Sequence, residues 1–452
     1  MAIDKRVVSA AVAVADVGDG ARVMMSGFGG AGFANDLVLA LRDRGARGLT
    51  IIVNSATHPL SFTHTLIEAG LVARVICSAA RGRGKGLSVF EQLHKDGKIG
   101  LTVLPQGTFA ECIRAGGGGD PGILYAFGVW HGFDGGARNA AVWRAGLCVG
   151  GGDHGGCGVG AGGCGGSVWQ FDVSVCAEEF RAGDGDGGGV DDCGGAGGAG
   201  GGDCAGAGGI ARGVCRSGCG GGGRGMKPLN RMQIAWRAAQ DLQDGMVVNL
   251  GIGMPVHCGD YIPAGRELVI QSENGVIGAG PEAAADVADS DLVDAGSRRI
   301  TIAPGGTVID SAWSFAMIRG GHIDVTVLGA FEVAANGDLA NWDSRIADKG
   351  PLVGGAMDLA ASAKAVWVMM EHNTRSGGPR LLEACTLPLT APGCVKRVYT
   401  DIAVVEVTEQ GFLVHEVLEG VTREALQARS GAVLRFSSTC GVLRAPALKD
   451  EE

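Results

Sequence analysis

The sequence predicts an α/β protein built from two related open α/β domains, the first incomplete, joined by a glycine-rich segment. Three observations lead there. Short β-rich runs alternate with helically periodic segments over residues 2–114 and again over 227–443. A pattern of turn, strand and glycine loop occurs once in each stretch. Between them, residues 116–225 hold 43 of the 83 glycines, two leucines and no lysine, a composition with little to bury.

In the first stretch, Lys5 and Arg6 precede the apolar run VVSAAVAVADV, which imitates a secretory leader. Asp16 interrupts that run, and Val7, Ala10, Ala11 and Val14 fall at helical spacing, so an amphipathic helix ending near Gly18 is expected. ARVMMSGFGG, LTIIVNSA, ARVICSAA and IGLTVLPQG then read as strands, with NDLVLALRDRG and FTHTLIEAGLV as helices. In the second stretch GMVVNLGIG, ELVIQSENG, RITIAPGG, HIDVTVLGAF, AVWVMME and DIAVVEV read as strands, and RMQIAWRAAQDLQ and REALQARSG as helices.

The repeat pairs Asp19-Gly20-Ala21-Arg22-Val23, leading to Gly27-Phe28-Gly29, with Asp244-Gly245-Met246-Val247-Val248, leading to Gly251-Ile252-Gly253. Two related domains with a site in the cleft between them are expected. The boundaries drawn from these patterns are 1–117, 118–225, 226–443 and a tail at 444–452. The middle segment is expected to be largely disordered. Its Gly, Ala, Arg and Cys bias is what a GC-rich gene yields when translated out of frame, and resequencing the coding DNA tests that reading.

A net charge of -10 and a pI near 5.4 argue against nucleic-acid or anionic-membrane partners. No apolar run reaches the ~18–20 residues of a membrane span, so a soluble, cytoplasmic protein is expected. Eight of the 14 cysteines lie in the middle segment, and Cys77, Cys112, Cys258, Cys385, Cys394 and Cys440 are scattered like ordinary reduced thiols.

Glu273 ends the strand ELVIQ just before Asn274-Gly275, a pair that favours a tight turn. A strand end is where α/β enzymes place reactive groups, although a lone Glu there is more often solvated or ion-paired. Gly251-Ile252-Gly253-Met254-Pro255 lacks the continuation of a dinucleotide fingerprint. His154, Cys157, Cys164, Cys215 and Cys219 lack the framework of a zinc site, and Asp184 and Asp186 lack the second copy of a calcium repeat; no metal is expected. Glu371 and His372, adjacent in a strand, should point to opposite faces, and His322 reads as a strand-start residue.

SENG, preceded by NLGIGMP and followed by FAMIRGGHIDVTVLGAF, GDLANW, VGGAMDL and CTLPLT, resembles the B part of the family I 3-oxoacid CoA-transferases over residues 228–435. Residues 3–117 resemble the A part through SGFGGAGF and LPQGTFAECIRAGG, with Ala34 where the family commonly has Pro. Between them only scraps such as Phe127-Gly128 and Phe133-Asp134-Gly135 match. The resemblance implies two CoA-transferase α/β domains and Glu273 as the nucleophile that attacks an acyl-CoA thioester. It implies oxyanion donors at Gln106 and at Gly354-Gly355, with Gly27, Gly29, Gly251, Gly253 and Asn274 in the CoA and substrate loops. Without it, Gln106 would read as a strand-end residue and the two glycines as a plain turn. It further implies coenzyme A as a substrate rather than a resident cofactor, and acyl-CoA and carboxylic acid as partners of a homo-oligomer. Succinyl-CoA is the implied donor and 3-oxoadipate the favoured acceptor. Acetoacetate is the alternative, and an inactive CoA-binding chain or a CoA hydrolase or lyase also stays open.

Overall fold

The computed structural model describes residues 8–29, 31–58, 60–82, 86–118, 123–124, 142–143, 168–171, 227–345 and 351–449. The readings placed on His154, Cys157, Cys164, Asp184, Asp186, Cys215 and Cys219 lie outside these residues, as does most of the glycine-rich stretch.

The N-terminal part alternates strands β1 (Arg22–Met25), β2 (Leu49–Ile52), β3 (Val72–Cys77) and β4 (Gly100–Val103) with helices. These helices are α1 (Ala10–Ala13), α2 (Asn35–Arg44), α3 (Thr63–Glu68), α4 (Val89–Lys95) and α5 (Gln106–Gly118). Helix α1 is shorter than the expected helix to Gly18, because the chain turns after Val14 and carries Val17 into the core beside it. Helix α4 starts on a reciprocal capping box between Ser88 and Glu91.

The glycine-rich stretch supplies β5 (Ile123–Leu124), β6 (Val142–Trp143) and β7 (Val168–Phe171). Strand β7 is the run Val-Trp-Gln-Phe, and its β-branched and aromatic residues suit a pleated sheet. It joins a five-stranded, all-parallel sheet in the order β4-β3-β2-β1-β7. Leu41, Leu49, Ile51, Leu66 and Val75 are wholly buried against this sheet. Each such aliphatic side chain contributes on the order of 1.5–3 kcal/mol relative to exposure.

From residue 228 the chain builds α6 (Arg231–Ala239), β8 (Val247–Leu250), a 3₁₀ helix (Met254–Tyr261), β9 (Val269–Ser272), β10 (Val276–Glu282), β11 (Ile300–Val308), α7 (Ser311–Arg319) and β12 (Val325–Gly329). There follow β13 (Glu332–Ala334), β14 (Leu339–Ala340), α8 (Ala356–Ser362), β15 (Ala365–Met369), β16 (Leu381–Leu382), β17 (Val395–Tyr399), β18 (Ala403–Thr408), β19 (Gly411–Leu418), α9 (Arg423–Ala428) and β20 (Leu434–Leu443). A ten-stranded sheet runs β11-β10-β9-β8-β12-β15-β17-β18-β19-β20. Its centre, β9 to β17, is parallel, and hairpins β9–β10–β11 and β17–β18–β19 extend it on either side. Sequence patterning did not single out β10, β19 or β20. Their partial burial blurs the alternation of apolar and polar residues that marks a strand.

The predicted repeat has the same hydrogen bonds in both copies. Gly20 N–H donates to Arg47 O at 2.7 Å while Arg47 N–H donates to Asp19 Oδ1 at 2.7 Å. Likewise Gly245 N–H donates to Glu267 O at 2.8 Å while Glu267 N–H donates to Asp244 Oδ1 at 2.6 Å. In each copy the turn launches a strand that pairs in parallel with the next one, β1 with β2 and β8 with β9. The two parts share packing as well: Trp342 and Val353 are buried in the core of the first sheet, and Leu352 bridges to Ala79.

Candidate active site

Strand β9 hydrogen-bonds β8 on one side and folds back as a hairpin into β10 on the other, so Glu273, Asn274 and Gly275 form the connecting turn. Gly275 has φ +119°, and a Cβ there would stand 2.0 Å from Ile309 O, so no other residue fits. The turn leaves Glu273 only 6 % exposed. Burial pushes its carboxyl up to about 6, a shift opposed by hydrogen bonds from Asn249 and its own backbone and reinforced by Asp294.

Asn249, at the penultimate position of β8 and wholly buried, donates from Nδ2 to Gln271 Oε1 at 2.8 Å and to Glu273 Oε2 at 3.4 Å. Its Oδ1 accepts from Thr326 Oγ1 at 3.3 Å, and Gln271 Nε2 donates to Ser314 Oγ at 2.7 Å. A polar network of four wholly buried side chains thus lies beneath one buried carboxylate and holds its neighbours in place.

Gln106 is the first residue of α5, three residues past the end of β4, not a strand-end residue. Its Oε1 accepts from Asn54 Nδ2 at 2.6 Å and from Ser78 Oγ. Its backbone N–H donates to Gly354 O at 2.8 Å. Gly354 donates its own N–H to Ser78 O at 3.3 Å. Gly355, the N-cap of α8, lies against the glutamate: a Cβ there would be 3.2 Å from Glu273 Oε1. Among the described residues, none accepts from Gly355 N–H. Glu273, Gly355, Gly354 and Gln106 therefore form one continuous cluster across the two parts of the chain.

Of the loop glycines, Gly29 is linked to the Glu273 turn, while Gly27, Gly251 and Gly253 have other neighbours. Gly29 lies close to Val293 and Ser297, and Val293 O accepts from Asn274 Nδ2 at 2.8 Å. Gly27 is covered by the ring of Phe33, which leaves no room for a side chain. Gly251 N–H donates to Val327 O at 2.8 Å, and Gly253 caps the 3₁₀ helix that Met254-Pro255 begins. A cavity of about 660 Å³ runs beside β9, lined in part by Gln271, Ser272, Asp294 and Arg298; Glu273, Gln106, Gly354 and Gly355 are not on its wall.

Sequence reasoning passed over Asn249, Asn54, Ser78, Asp358 and Arg319. A usable signal existed for the two asparagines, since each is a polar residue at or just past the end of an apolar parallel strand, in VVNLG and IIVNS. Glu371 is exposed while His372 is 1 % exposed, held by Thr400 at 3.2 Å and Ser430 at 2.9 Å. Burial pushes the His372 imidazole down to about 4, so it stays neutral. His322 is exposed just before β12. Among the described residues, no group of three or more His, Cys, Asp or Glu could hold a metal ion, and no helix is long and apolar enough to cross a membrane.

A family model described as coenzyme A transferase matches residues 7–138 and 231–429. One subunit of the 3-oxoadipate CoA-transferase of Acinetobacter baylyi is 47% identical over 206 residues, 46% of this chain and 95% of that protein. The mitochondrial succinyl-CoA:3-ketoacid coenzyme A transferase 2A of Rattus norvegicus is 34% identical over 474 residues, 93% of this chain and 87% of that protein. In fold, the chain is similar to the acyl-CoA transferase of Escherichia coli O157:H7, with a TM-score of 0.61 at 16% identity, covering 97% of this chain and 95% of that one. With the family model spanning both parts and a relative aligned along nearly the whole length, this chain belongs to the coenzyme A transferase family.

Proposed function

We propose that this chain moves coenzyme A from succinyl-CoA to a 3-oxo acid, 3-oxoadipate in the first instance, by ping-pong chemistry on Glu273. The observation that carries the reading is the buried Glu273 carboxylate set against Gly355, one residue from the glycine that holds Gln106. A Glu273 oxygen attacks the thioester carbonyl, the tetrahedral oxyanion collapses, and CoA thiolate leaves a succinyl-glutamyl anhydride. The thiolate then attacks the glutamyl carbonyl, releasing succinate and forming a glutamyl-CoA thioester. An acceptor carboxylate reverses both steps and departs as its CoA ester. No proton is gained or lost overall, and no resident cofactor or metal is needed.

Each addition places negative charge on a carbonyl oxygen, and neutral donors held in position stabilise it. Gly355 N–H supports that role because its residue packs against the carboxylate and no described residue accepts from it. The Gln106 amide supports it because its oxygen is occupied by Asn54 and Ser78, which leaves the NH₂ group as its donor end. Gly27, Gly29, Gly251, Gly253 and Asn274 shape the loops that receive CoA and acid. We assign this chemistry to an A-type domain at 1–117, to whose sheet β7 of the stretch 118–225 is added, and a B-type domain at 226–443, working as a cytoplasmic homo-oligomer, with 444–452 outside it. Acetoacetate is the second acceptor to consider, because the rat relative named for 3-ketoacids aligns along both parts in a single chain.

Incubation with succinyl-CoA followed by borohydride reduction is expected to convert Glu273 to its alcohol, read by peptide mass, and to inactivate the protein. Active exchange with an unmodified Glu273 would overturn the reading. The ratio of kcat/KM for 3-oxoadipate and acetoacetate then decides the acceptor.

A further inference from the structure

A second buried carboxylate lies a few residues along the same cluster. Asp358, in the first turn of α8, is 3 % exposed. Its Oδ2 accepts from the N–H of Gly107 in α5 at 3.2 Å, and its Oδ1 faces Arg319 Nη1 of α7 at 3.5 Å. The fit is close: a Cβ on Gly107 would stand 2.4 Å from the Asp358 carboxylate, so residue 107 is confined to glycine. Two further charged groups stand at this junction, Glu111 of α5, 3.6 Å from Arg319, and Arg114, 2.7 Å from Glu111.

We infer that Asp358 is a positioning residue for the transfer reaction: it pins the first turn of α5 to the second part of the chain and so sets where Gln106 stands relative to Glu273. Two neighbouring bonds cross the same seam. Gln106 N–H donates to Gly354 O, and Gly107 N–H donates to Asp358, so the start of α5 is gripped by residues on both sides of Gly355. A charged acceptor binds a helix-start N–H more strongly than a neutral one, and the Arg319 guanidinium holds that acceptor in place. The inference rests on the transfer chemistry proposed for Glu273 and adds a residue that touches neither substrate nor reacting atoms.

Burial pushes the Asp358 carboxyl up to about 6, against the opposing pull of Arg319 and the Gly107 N–H, so its charge can be titrated within a workable range. Asp358→Ala is expected to lower kcat by about 10²-fold, the size of a small misplacement, with KM for succinyl-CoA within about twofold. Asp358→Asn keeps an oxygen for Gly107 and loses the charge, so it should recover most of that loss and remain about tenfold below the parent at pH 8. That tenfold gap should close as the pH falls through 6, because protonation makes the parent's own Asp358 a neutral acceptor. A gap that does not change with pH, or no gap at pH 8, would overturn the inference. If the alanine variant does not fold, the asparagine profile decides alone. Borohydride trapping of Glu273 in the parent protein is scored first, so failure of the glutamyl reading is seen separately from failure of this one.

Discussion

The two copies of the turn–strand–loop unit can be laid side by side. Both start on an Asp-Gly turn with matching hydrogen bonds, and both send a second parallel strand toward the cluster. In the first copy that strand runs on to Asn54, whose amide donates to Gln106 at 2.6 Å. In the second it ends on Glu273, a buried acid whose side-chain donor is Asn249 at 3.4 Å. One scaffold thus presents a neutral amide that orients another amide, and also a carboxylate kept poorly solvated. The strand end decides position, and the residue placed there decides the chemistry.

The sharpest way to break this comparison is to make the second copy neutral like the first. Glu273→Gln is expected to reduce CoA exchange by roughly 10⁴-fold or more, the scale of removing a covalent nucleophile, measured by transfer of labelled succinate into succinyl-CoA. Altering the neutral partner should cost less. Gln106→Ala is expected to lower kcat by about 10²–10³-fold, as for loss of one oxyanion donor.

Glu273→Gln also has an effect on stability, opposite in direction. The folded protein holds this carboxyl near 6 instead of 4.5, so folding favours its protonated form. Its penalty is therefore absent below the unfolded value and complete above the folded one. At 1.36 kcal/mol per unit that is about 2 kcal/mol, so the variant should resist urea better at pH 8 and show no gain at pH 4. The smallest effect tests the likeness of the two copies. Gly20 and Gly245 have φ of +74° and +76° with open space around them. Gly20→Ala and Gly245→Ala should therefore each cost about 1 kcal/mol, from backbone strain alone. Unequal costs would show that the two turns carry different loads.

Much of this was legible in the residues themselves. The parallel strands were readable because strands buried on both faces are nearly continuous runs of Val, Ile and Leu, and the Asp-Gly turns marked where two of them begin. Glu273 stood out through its motif, SENG after NLGIGMP; the strand end and the Asn-Gly turn by themselves left a solvated or ion-paired Glu as the commoner reading. In the edge hairpins β11 and β18 were legible as strands but β10 and β19 were not, since those half-buried strands carry mixed residues. Asp358 was hidden for a different reason. An acid in the first turn of a helix reads as an ordinary helix-start charge, and nothing local says that another helix is packed over it.

By itself, the sequence determined the alternation of elements, the repeated turn and the family to which the chain belongs, because those depend on local propensity and contiguous motifs. Tertiary structure alone decided that Gln106, Gly354, Gly355 and Glu273 converge, that Glu273 and Asp358 are both stripped of water, and that Arg319 faces Asp358. Desolvation and pairing depend on what the distant parts of the chain bring to the same place, and no stretch of residues carries that information on its own.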